Sequence, residues 1–281
     1  MIRELSTEKI IDVVRSMCIA ANHFLSEDMK KCLIQAESTE TSATGKNILS
    51  SLRENLRIAG EEMIPICQDT GMAILFVEIG QEVHITGGNL TAAINEGVRR
   101  GYQEGYLRKS VVSDPLERVN TKDNTPAVIH YEIVEGDRLK LTLAPKGFGS
   151  ENTSRIFMLK PADGAEGVKQ AVLDAVASAG PNACPPMVVG VGIGGDFEKC
   201  AILAKKALTR SVDQRNEDPK YQAMEEELLE KINALQIGPG GLGGKVTALA
   251  VNIETFATHI AGLPVAVNIC CHVNRHVTEV I

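Results

Sequence analysis

Residues 165–210 contain three successive segments that decide the fold class: AEGVKQAVLDAVASAG at 165–180, PMVVGVGIGG at 186–195 and DFEKCAILAKKALTR at 196–210. The first and third segments carry apolar residues at helical spacing, whereas the second is a short apolar run that ends in glycines, as buried strands often do. Helix, strand and helix in this order predict an α/β alternation. We therefore expect a mixed α/β fold in which β-sheets are flanked by helices.

The sequence before this stretch continues the alternation. It predicts, in chain order, a helical N-terminus (1 to about 60), short β-like runs (73–79 and 83–85), a helix (90–106) and two β-rich runs that form a hairpin around Glu135-Gly136-Asp137 (127–147). No internal repeat or clean linker interrupts the chain. We expect one domain over residues 1–281, built from two α/β subdomains whose boundary the sequence does not define.

The composition excludes several classes of partner. Asp and Glu number 36 against 29 for Lys and Arg, which gives a net charge of -7. An acidic surface repels nucleic-acid phosphates and anionic lipid headgroups, so we expect neither nucleic acid nor membrane as a partner. No apolar run reaches the roughly 20 residues of a bilayer span, and the first residues, MIRELSTEKI, lack the pattern of a secretory signal. These features predict a cytoplasmic protein.

Three of the seven cysteines lie in polar, turn-like contexts: Cys67 in PICQDTG, Cys184 in NACPP and Cys271 in CCHVNRH. An odd cysteine count in a reducing compartment favours thiol or metal chemistry over disulfides. Their separations of 117 and 87 residues match neither a zinc CxxC pair nor a ferredoxin run, so three unrelated buried thiols remain an alternative. The cysteines that fall on apolar helix faces are predicted to pack in the core: Cys18, Cys32 and Cys200.

Two glycine-rich stretches, GVGIGG at 190–195 and GPGGLGG at 238–244, raise the possibility of a nucleotide site. The first reads G-x-G-x-G-G instead of the dinucleotide pattern G-x-G-x-x-G, and the second is not a P-loop. We therefore favour tight turns with close backbone approach, and keep a nucleotide-binding module as an alternative.

Polar residues near these motifs are candidates for proton transfer and anion binding. His259 and Asp69 suit proton transfer beside a metal, although a packing histidine and an ordinary turn aspartate are the alternatives. Arg108 lies in the long polar segment LRKSVVSDPLERVNTKDNTP at 107–126, where a guanidinium could bind a carboxylate in bidentate fashion. Lys109 or Arg118 could take that role instead, and a solvated charged loop is the remaining alternative.

Six motifs in fixed order carry a family resemblance: PICQDTG, LRKSVVSDPLERVNTKDNTP, KGFGSENTS, NACPPMVVGVGIGG, IGPGGLGGKVTALAV and THIAGLPVAVNICCH. From about residue 8 to 276, the chain resembles the alpha subunit of the oxygen-sensitive iron-sulfur hydro-lyases, class I fumarate hydratase and L-tartrate dehydratase. The resemblance implies a single alpha-type catalytic domain that uses a 4Fe-4S cluster, with Cys67, Cys184 and Cys271 as ligands. Cys270 is a departure, because its thiol could compete with that of Cys271.

The resemblance also implies the chemistry. Three cysteine ligands leave one iron open to act as a Lewis acid in the reversible hydration of fumarate to L-malate. By motif match, Asp69 or His259 would take part in proton transfer, while Gln68, Arg108 and the Gly149 backbone would bind the dicarboxylate substrate. The runner-up activity is the dehydration of tartrate to oxaloacetate, and a non-enzymatic iron-sulfur protein is less favoured.

The resemblance finally implies a partner. The family occurs as one long chain or as two subunits, of which a shorter beta subunit supplies further binding and catalytic groups. This chain ends at Val280-Ile281, soon after the third cysteine. We therefore expect an alpha subunit whose active site is completed by a separate beta subunit, within a higher oligomer.

Overall fold

The computed structural model describes residues 2–281 and confirms the mixed α/β fold class. The helices are α1 (Thr7–His23), α2 (Glu27–Thr39), α3 (Ala43–Glu62), α4 (Leu90–Glu104), α5 (Phe148–Glu151), α6 (Gly164–Ala179), α7 (Phe197–Ala207) and α8 (Pro219–Ala234). The strands are β1 (Arg3–Ser6), β2 (Met72–Gly80), β3 (Val83–Thr86), β4 (Val128–Val134), β5 (Leu139–Lys146), β6 (Arg155–Leu159), β7 (Met187–Gly195), β8 (Ala248–Thr258), β9 (Leu263–Cys270) and β10 (Val277–Val280).

The chain divides into two compact units, each made of segments that are distant in sequence. The first unit contains residues up to 26, 56–148 and 275–281, and the second contains 27–55 and 149–274. Within residues 2–281, no helix combines the length and the apolar character needed to cross a bilayer.

The main sheet of the first unit has the strand order β10-β5-β2-β4. Strand β2 pairs in parallel with β4 and antiparallel with β5. The predicted hairpin of β4 and β5 is therefore wrong, because β2 lies between them. The physical reason is burial: residues 73–77 of β2 are fully enclosed, whereas β4 exposes side chains such as Ile133, which suits an edge strand.

Helices α1 and α4 pack against each other through glycines of α4. A Cβ atom on Gly97 would lie 2.7 Å from the Val14 Cβ, and one on Gly101 would lie 2.6 Å from the Cys18 Cβ. The absence of these side chains lets the two backbones approach closely. Cys18 is fully buried at this contact, which confirms its predicted place in the core. The N-terminal region is helical as predicted, except that β1 forms a short parallel pair with β3.

The sheet of the second unit has the strand order β6-β9-β7-β8, in which β7 is parallel to β8 and antiparallel to β9. Two glycines of β7 face helix α7, where a Cβ on Gly190 would lie 2.1 Å from the Ala204 carbonyl oxygen and one on Gly192 would lie 2.0 Å from that of Cys200. The glycines of GVGIGG thus serve close packing of helix on strand, as the turn-and-packing interpretation expects.

Candidate functional site

The Cys67 turn (residues 65–71) connects α3 to β2 in the first unit. The Cys67 thiol donates to the Gln68 Oε1 at 3.2 Å, and the backbone N–H of Asp69 donates to the Cys67 Sγ at 3.4 Å. Cys67 is half-buried. The turn therefore brings together a thiol, an amide and a carboxylate that the sequence marked as functional.

The Asp69 carboxylate is fixed by two backbone donors. Gly71 N–H donates to Oδ1 and Phe148 N–H donates to Oδ2, each at 2.9 Å. A Cβ on Gly147 would lie 3.1 Å from Oδ2, so the glycine leaves room for this contact. The start of the KGFGS segment and the Cys67 turn thus meet at the Asp69 carboxylate.

Arg275, which the sequence reading did not single out, holds the same turn from inside the unit. Its side chain is only 4% exposed; Nε donates to the Pro145 carbonyl oxygen at 3.2 Å, and Nη2 donates to the carbonyl oxygen of Asp69. Its Nη1 is buried without a hydrogen-bond partner. A buried guanidinium that donates to two backbone carbonyls at a predicted catalytic turn indicates that Arg275 supports this turn. The local sequence VNRH does not show this, because both carbonyls belong to residues distant in sequence.

The long segment at 107–126 forms no helix or strand, as predicted, and it starts beside the Cys67 turn. The carbonyl of Arg108 accepts a hydrogen bond from Thr70 Oγ1 at 3.1 Å, while the Arg108 side chain is exposed. Tyr102 OH donates to the Thr70 and Gly71 carbonyls at 2.7 and 3.1 Å. Burial raises the pKa of this phenol, which keeps it a neutral donor. The backbone of Arg108, at the start of the 107–126 segment, is therefore held beside the Cys67 turn.

In the second unit, the Cys184 turn (residues 181–186) precedes β7. Cys184 is exposed and adopts a left-handed conformation, with φ 51° and ψ 64°. Its carbonyl oxygen lies 3.4 Å from the backbone nitrogen of His272 and 3.0 Å from the His272 Nδ1. Because Cys271 immediately precedes His272, the structure brings the chain segments of Cys184 and Cys271 together. A strained backbone at a non-glycine residue is more common at functional sites than elsewhere.

The paired cysteines at the end of β9 differ in exposure. Cys270 is 4% exposed, with its Sγ 4.0 Å from the Val273 carbonyl oxygen, whereas Cys271 is half-buried just after the strand. The inward position of Cys270 favours Cys271 as the thiol available to a ligand.

His259 lies at the other end of β9 from Cys271. It occupies the exposed turn between β8 and β9, where its Nδ1 accepts a hydrogen bond from the Ala261 N–H at 3.2 Å. The eight residues of β9 span about 25 Å at roughly 3.3 Å per residue. His259 instead lines a cavity of about 370 Å³ with Lys220 and Tyr221. The structure does not bring this histidine to the two cysteines of its own unit.

The donor chemistry fits an iron-sulfur cluster at the three turn cysteines. Iron is bound by thiolates, and Cys67, Cys184 and Cys271 are thiols at turns that are exposed or half-buried. Burial raises the pKa of the thiols of Cys18 and Cys200, which makes them poor thiolate ligands. Within residues 2–281, no three His, Cys, Asp or Glu side chains form a group that could hold one metal ion. The three-cysteine ligand set stays a prediction.

Gly149, the predicted backbone ligand of the substrate, lies in the short helix α5. A Cβ at this position would meet no heavy atom within 4 Å. Packing within the chain therefore leaves open space beside this part of the backbone.

The chain is similar to known proteins over nearly its whole length. The family model described as fumarate hydratase (Fumerase) matches residues 11–280. A protein of Methanocaldococcus jannaschii named "Putative L(+)-tartrate dehydratase subunit alpha" is 44% identical over 273 residues, which cover 95% of each chain. The L(+)-tartrate dehydratase subunit alpha of Escherichia coli is 31% identical over 280 residues, 98% of this chain and 92% of the relative. The chain therefore belongs to the fumarate hydratase family and is a hydro-lyase.

Proposed function

We propose that the chain is the alpha subunit of a 4Fe-4S hydro-lyase that interconverts fumarate and L-malate. The observation that carries the proposal is the Cys67 turn, where a thiol, an amide and a carboxylate held by two backbone donors lie within three consecutive residues. The family membership supports the reaction class. The proposed compartment is the cytoplasm, where reducing conditions keep cysteines available as ligands.

Cys67, Cys184 and Cys271 would hold the cluster. When bound, it would supply a Lewis acid for a hydroxyl and a carboxylate oxygen of the substrate. Cys270 is the weaker candidate for the third position, because its side chain is buried at the end of β9.

Asp69 is the proposed proton-transfer group. Hydrogen bonds from the Gly71 and Phe148 N–H groups give the carboxylate a defined orientation. In dehydration it would take the proton from the carbon next to a carboxylate, and in hydration it would return that proton. Gln68, Arg108 and the Gly149 N–H are the proposed ligands of the substrate carboxylates, with the guanidinium as the cationic partner.

The proton-transfer role of His259 stays a prediction, because its turn lies at the opposite end of β9 from Cys271. We expect Asp69→Asn to lower kcat by at least about a hundredfold, the usual scale for a lost proton-transfer group. We expect His259→Asn to lower kcat far less. Steady-state kinetics on both variants measures the difference, and equal losses would support the predicted role of His259 in proton transfer.

A separate beta subunit is proposed to complete the active site, since both relatives named above carry the designation "subunit alpha". The test is an anaerobic assay of fumarate hydration by the alpha chain alone and by the alpha chain mixed with its beta subunit. We expect activity only in the mixture. Full activity of the alpha chain alone would contradict the two-subunit proposal.

Tartrate dehydration is the second candidate, favoured by the names of the same relatives. Tartrate differs from malate by one more hydroxyl, so both substrates need the same carboxylate ligands. Comparing kcat/KM for malate and L-tartrate on one reconstituted preparation decides between them. A preference for tartrate of tenfold or more would replace the fumarate assignment while leaving the hydro-lyase site unchanged.

A further inference from the structure

Glu40 is a buried carboxylate between α2 and α3, with 1% of its surface exposed. Its Oε1 accepts hydrogen bonds from the N–H groups of Thr41, Ser42 and Lys245 at 2.7, 2.8 and 2.9 Å. Its Oε2 accepts from the Val246 N–H at 2.8 Å. One carboxylate thus ties the α2–α3 connection to the segment that follows the glycine-rich loop (residues 238–244).

Two glycines lie so close to the Glu40 side chain that a side chain at either position would displace it. A Cβ on Gly244 would lie 2.8 Å from the Glu40 Oε1, and its φ of +125° is one that other residues rarely adopt. A Cβ on Gly45 would lie 2.8 Å from the Glu40 Cγ. Both glycines are explained by close approach to Glu40, without a bound nucleotide.

The other side of the glycine-rich loop contacts the Cys184 turn. Gly240 N–H donates to the Pro185 carbonyl oxygen at 2.9 Å. A Cβ on Gly241 would lie 2.2 Å from the Pro181 Cβ, so the loop lies directly against the first proline of the turn. The loop therefore touches the chain on both sides of Cys184.

We propose that Glu40 is a positioning residue for Cys184, which acts by holding the glycine-rich loop against the Cys184 turn. Glu40 fixes Lys245 and Val246 just after the loop, and the loop contacts Pro181 and Pro185. The left-handed backbone of Cys184 is strained and needs such external support. The inference rests on the proposed function only in taking Cys184 as a cluster ligand.

The chain offers a matched control for a purely structural role. Glu225 is also 1% exposed, and its carboxylate also accepts from backbone donors, namely the N–H groups of Ile253 and Asn216 at 2.7 and 3.0 Å. It additionally pairs with Arg210. Glu225→Gln therefore disturbs a buried carboxylate in the same unit without touching the contacts between the glycine-rich loop and the Cys184 turn.

The first measurement is amide hydrogen exchange on the full chain without iron, comparing wild type, Glu40→Gln and Glu225→Gln. We expect the Gly240 and His272 amides, which contact the Cys184 turn, to exchange at least about tenfold faster in Glu40→Gln and to stay near wild type in Glu225→Gln. Unchanged Gly240 exchange in Glu40→Gln, or equal loosening in both variants, overturns the proposal. If Glu40→Gln does not fold, Glu40→Asp, which keeps the charge on a shorter side chain, replaces it with the same expected direction.

The second measurement is the rate of iron loss to a chelator after anaerobic reconstitution. We expect Glu40→Gln to lose iron at least about fivefold faster than Glu225→Gln, because a mobile ligand turn favours dissociation. Equal rates in a protein that binds iron overturn the positioning role. If wild type binds no iron, the proposed function fails, and the exchange experiment alone still decides whether Glu40 positions Cys184.

Discussion

Replacing Arg275 by methionine removes a buried cation that holds the Cys67 turn. The guanidinium is 4% exposed and donates to the carbonyl oxygens of Asp69 and Pro145. Its Nη1 has no hydrogen-bond partner, and no carboxylate in residues 2–281 forms an ion pair with it. Methionine keeps an unbranched apolar stem, although a shorter side chain, and carries neither the charge nor the donors, so the substitution removes both while retaining part of the packing.

Two opposing effects set the magnitude. Each hydrogen bond from a charged donor contributes about 1.5–3 kcal/mol, so losing two removes about 3–6 kcal/mol from the free energy of unfolding. Burying an unpaired charge costs several kcal/mol, and that cost disappears with the guanidinium. We therefore expect the net change in global stability to stay within about 2 kcal/mol. At the Cys67 turn nothing offsets the loss, because the carbonyl oxygen of Asp69 loses its hydrogen-bond donor.

The assay combines urea unfolding with amide exchange on the full chain. We expect a modest shift in the urea midpoint and at least about tenfold faster exchange of the Phe148 and Gly71 amides, which donate to the Asp69 carboxylate. Arg138→Met is the control, since the Arg138 side chain is 67% exposed. A stability loss above about 5 kcal/mol, or unchanged exchange of both amides, would contradict this role of Arg275.

The remaining predictions concern stability. Burial opposes ionisation of Glu40, but the backbone donors of Lys245, Ser42, Val246 and Thr41 outweigh it, so its pKa lies below the ordinary value. A carboxylate with a lowered pKa stabilises the fold above the unfolded pKa of about 4.3 and loses that contribution as the pH falls through the folded value. The difference in urea stability between wild type and Glu40→Gln should therefore be full at about pH 7 and shrink as the pH falls below the unfolded pKa; a difference independent of pH contradicts this explanation. Gly192→Ala places a Cβ 2.0 Å from the Cys200 carbonyl oxygen, so we expect the free energy of unfolding to fall by about 1–3 kcal/mol, as measured by thermal unfolding. A variant as stable as wild type would contradict this prediction. Cys18→Ser puts a hydroxyl into a fully buried apolar contact, so we expect it to lower the free energy of unfolding by about 1–3 kcal/mol and to leave the iron content unchanged. Loss of iron with unchanged stability would contradict this prediction.

Periodicity predicted most helices and strands of the fold, because their apolar faces are buried as the spacing requires. It could not predict the neighbours of β4, since strand order depends on contacts between segments that are distant in sequence. The largely buried strands β2 and β5 take the two inner positions and β4 lies at the edge, so the predicted β4–β5 hairpin is wrong. The short strand β1 was missed because it forms by pairing with β3, which is distant in sequence, and it directly precedes the helical pattern of α1.

The conformation of the Cys67 turn could be predicted from the sequence because its contacts are local. The Cys67 turn places Gln68 and Asp69 beside the thiol through contacts among neighbouring residues. Arg275 and Glu40 act through contacts with residues 206 and 205–206 positions away, which no local motif encodes. His259 is close to Cys271 in sequence, but the whole length of β9 separates the two in the structure, so its role in proton transfer stays a prediction.

We propose that three turn cysteines of this chain hold a 4Fe-4S cluster. The measurement is iron and acid-labile sulfide per chain after anaerobic purification and reconstitution, with Cys67→Ser, Cys184→Ser and Cys271→Ser beside wild type. We predict about four of each per wild-type chain and near-zero cluster in each variant. Iron and sulfide near zero in wild type, or full retention in any of the three variants, would contradict the assignment.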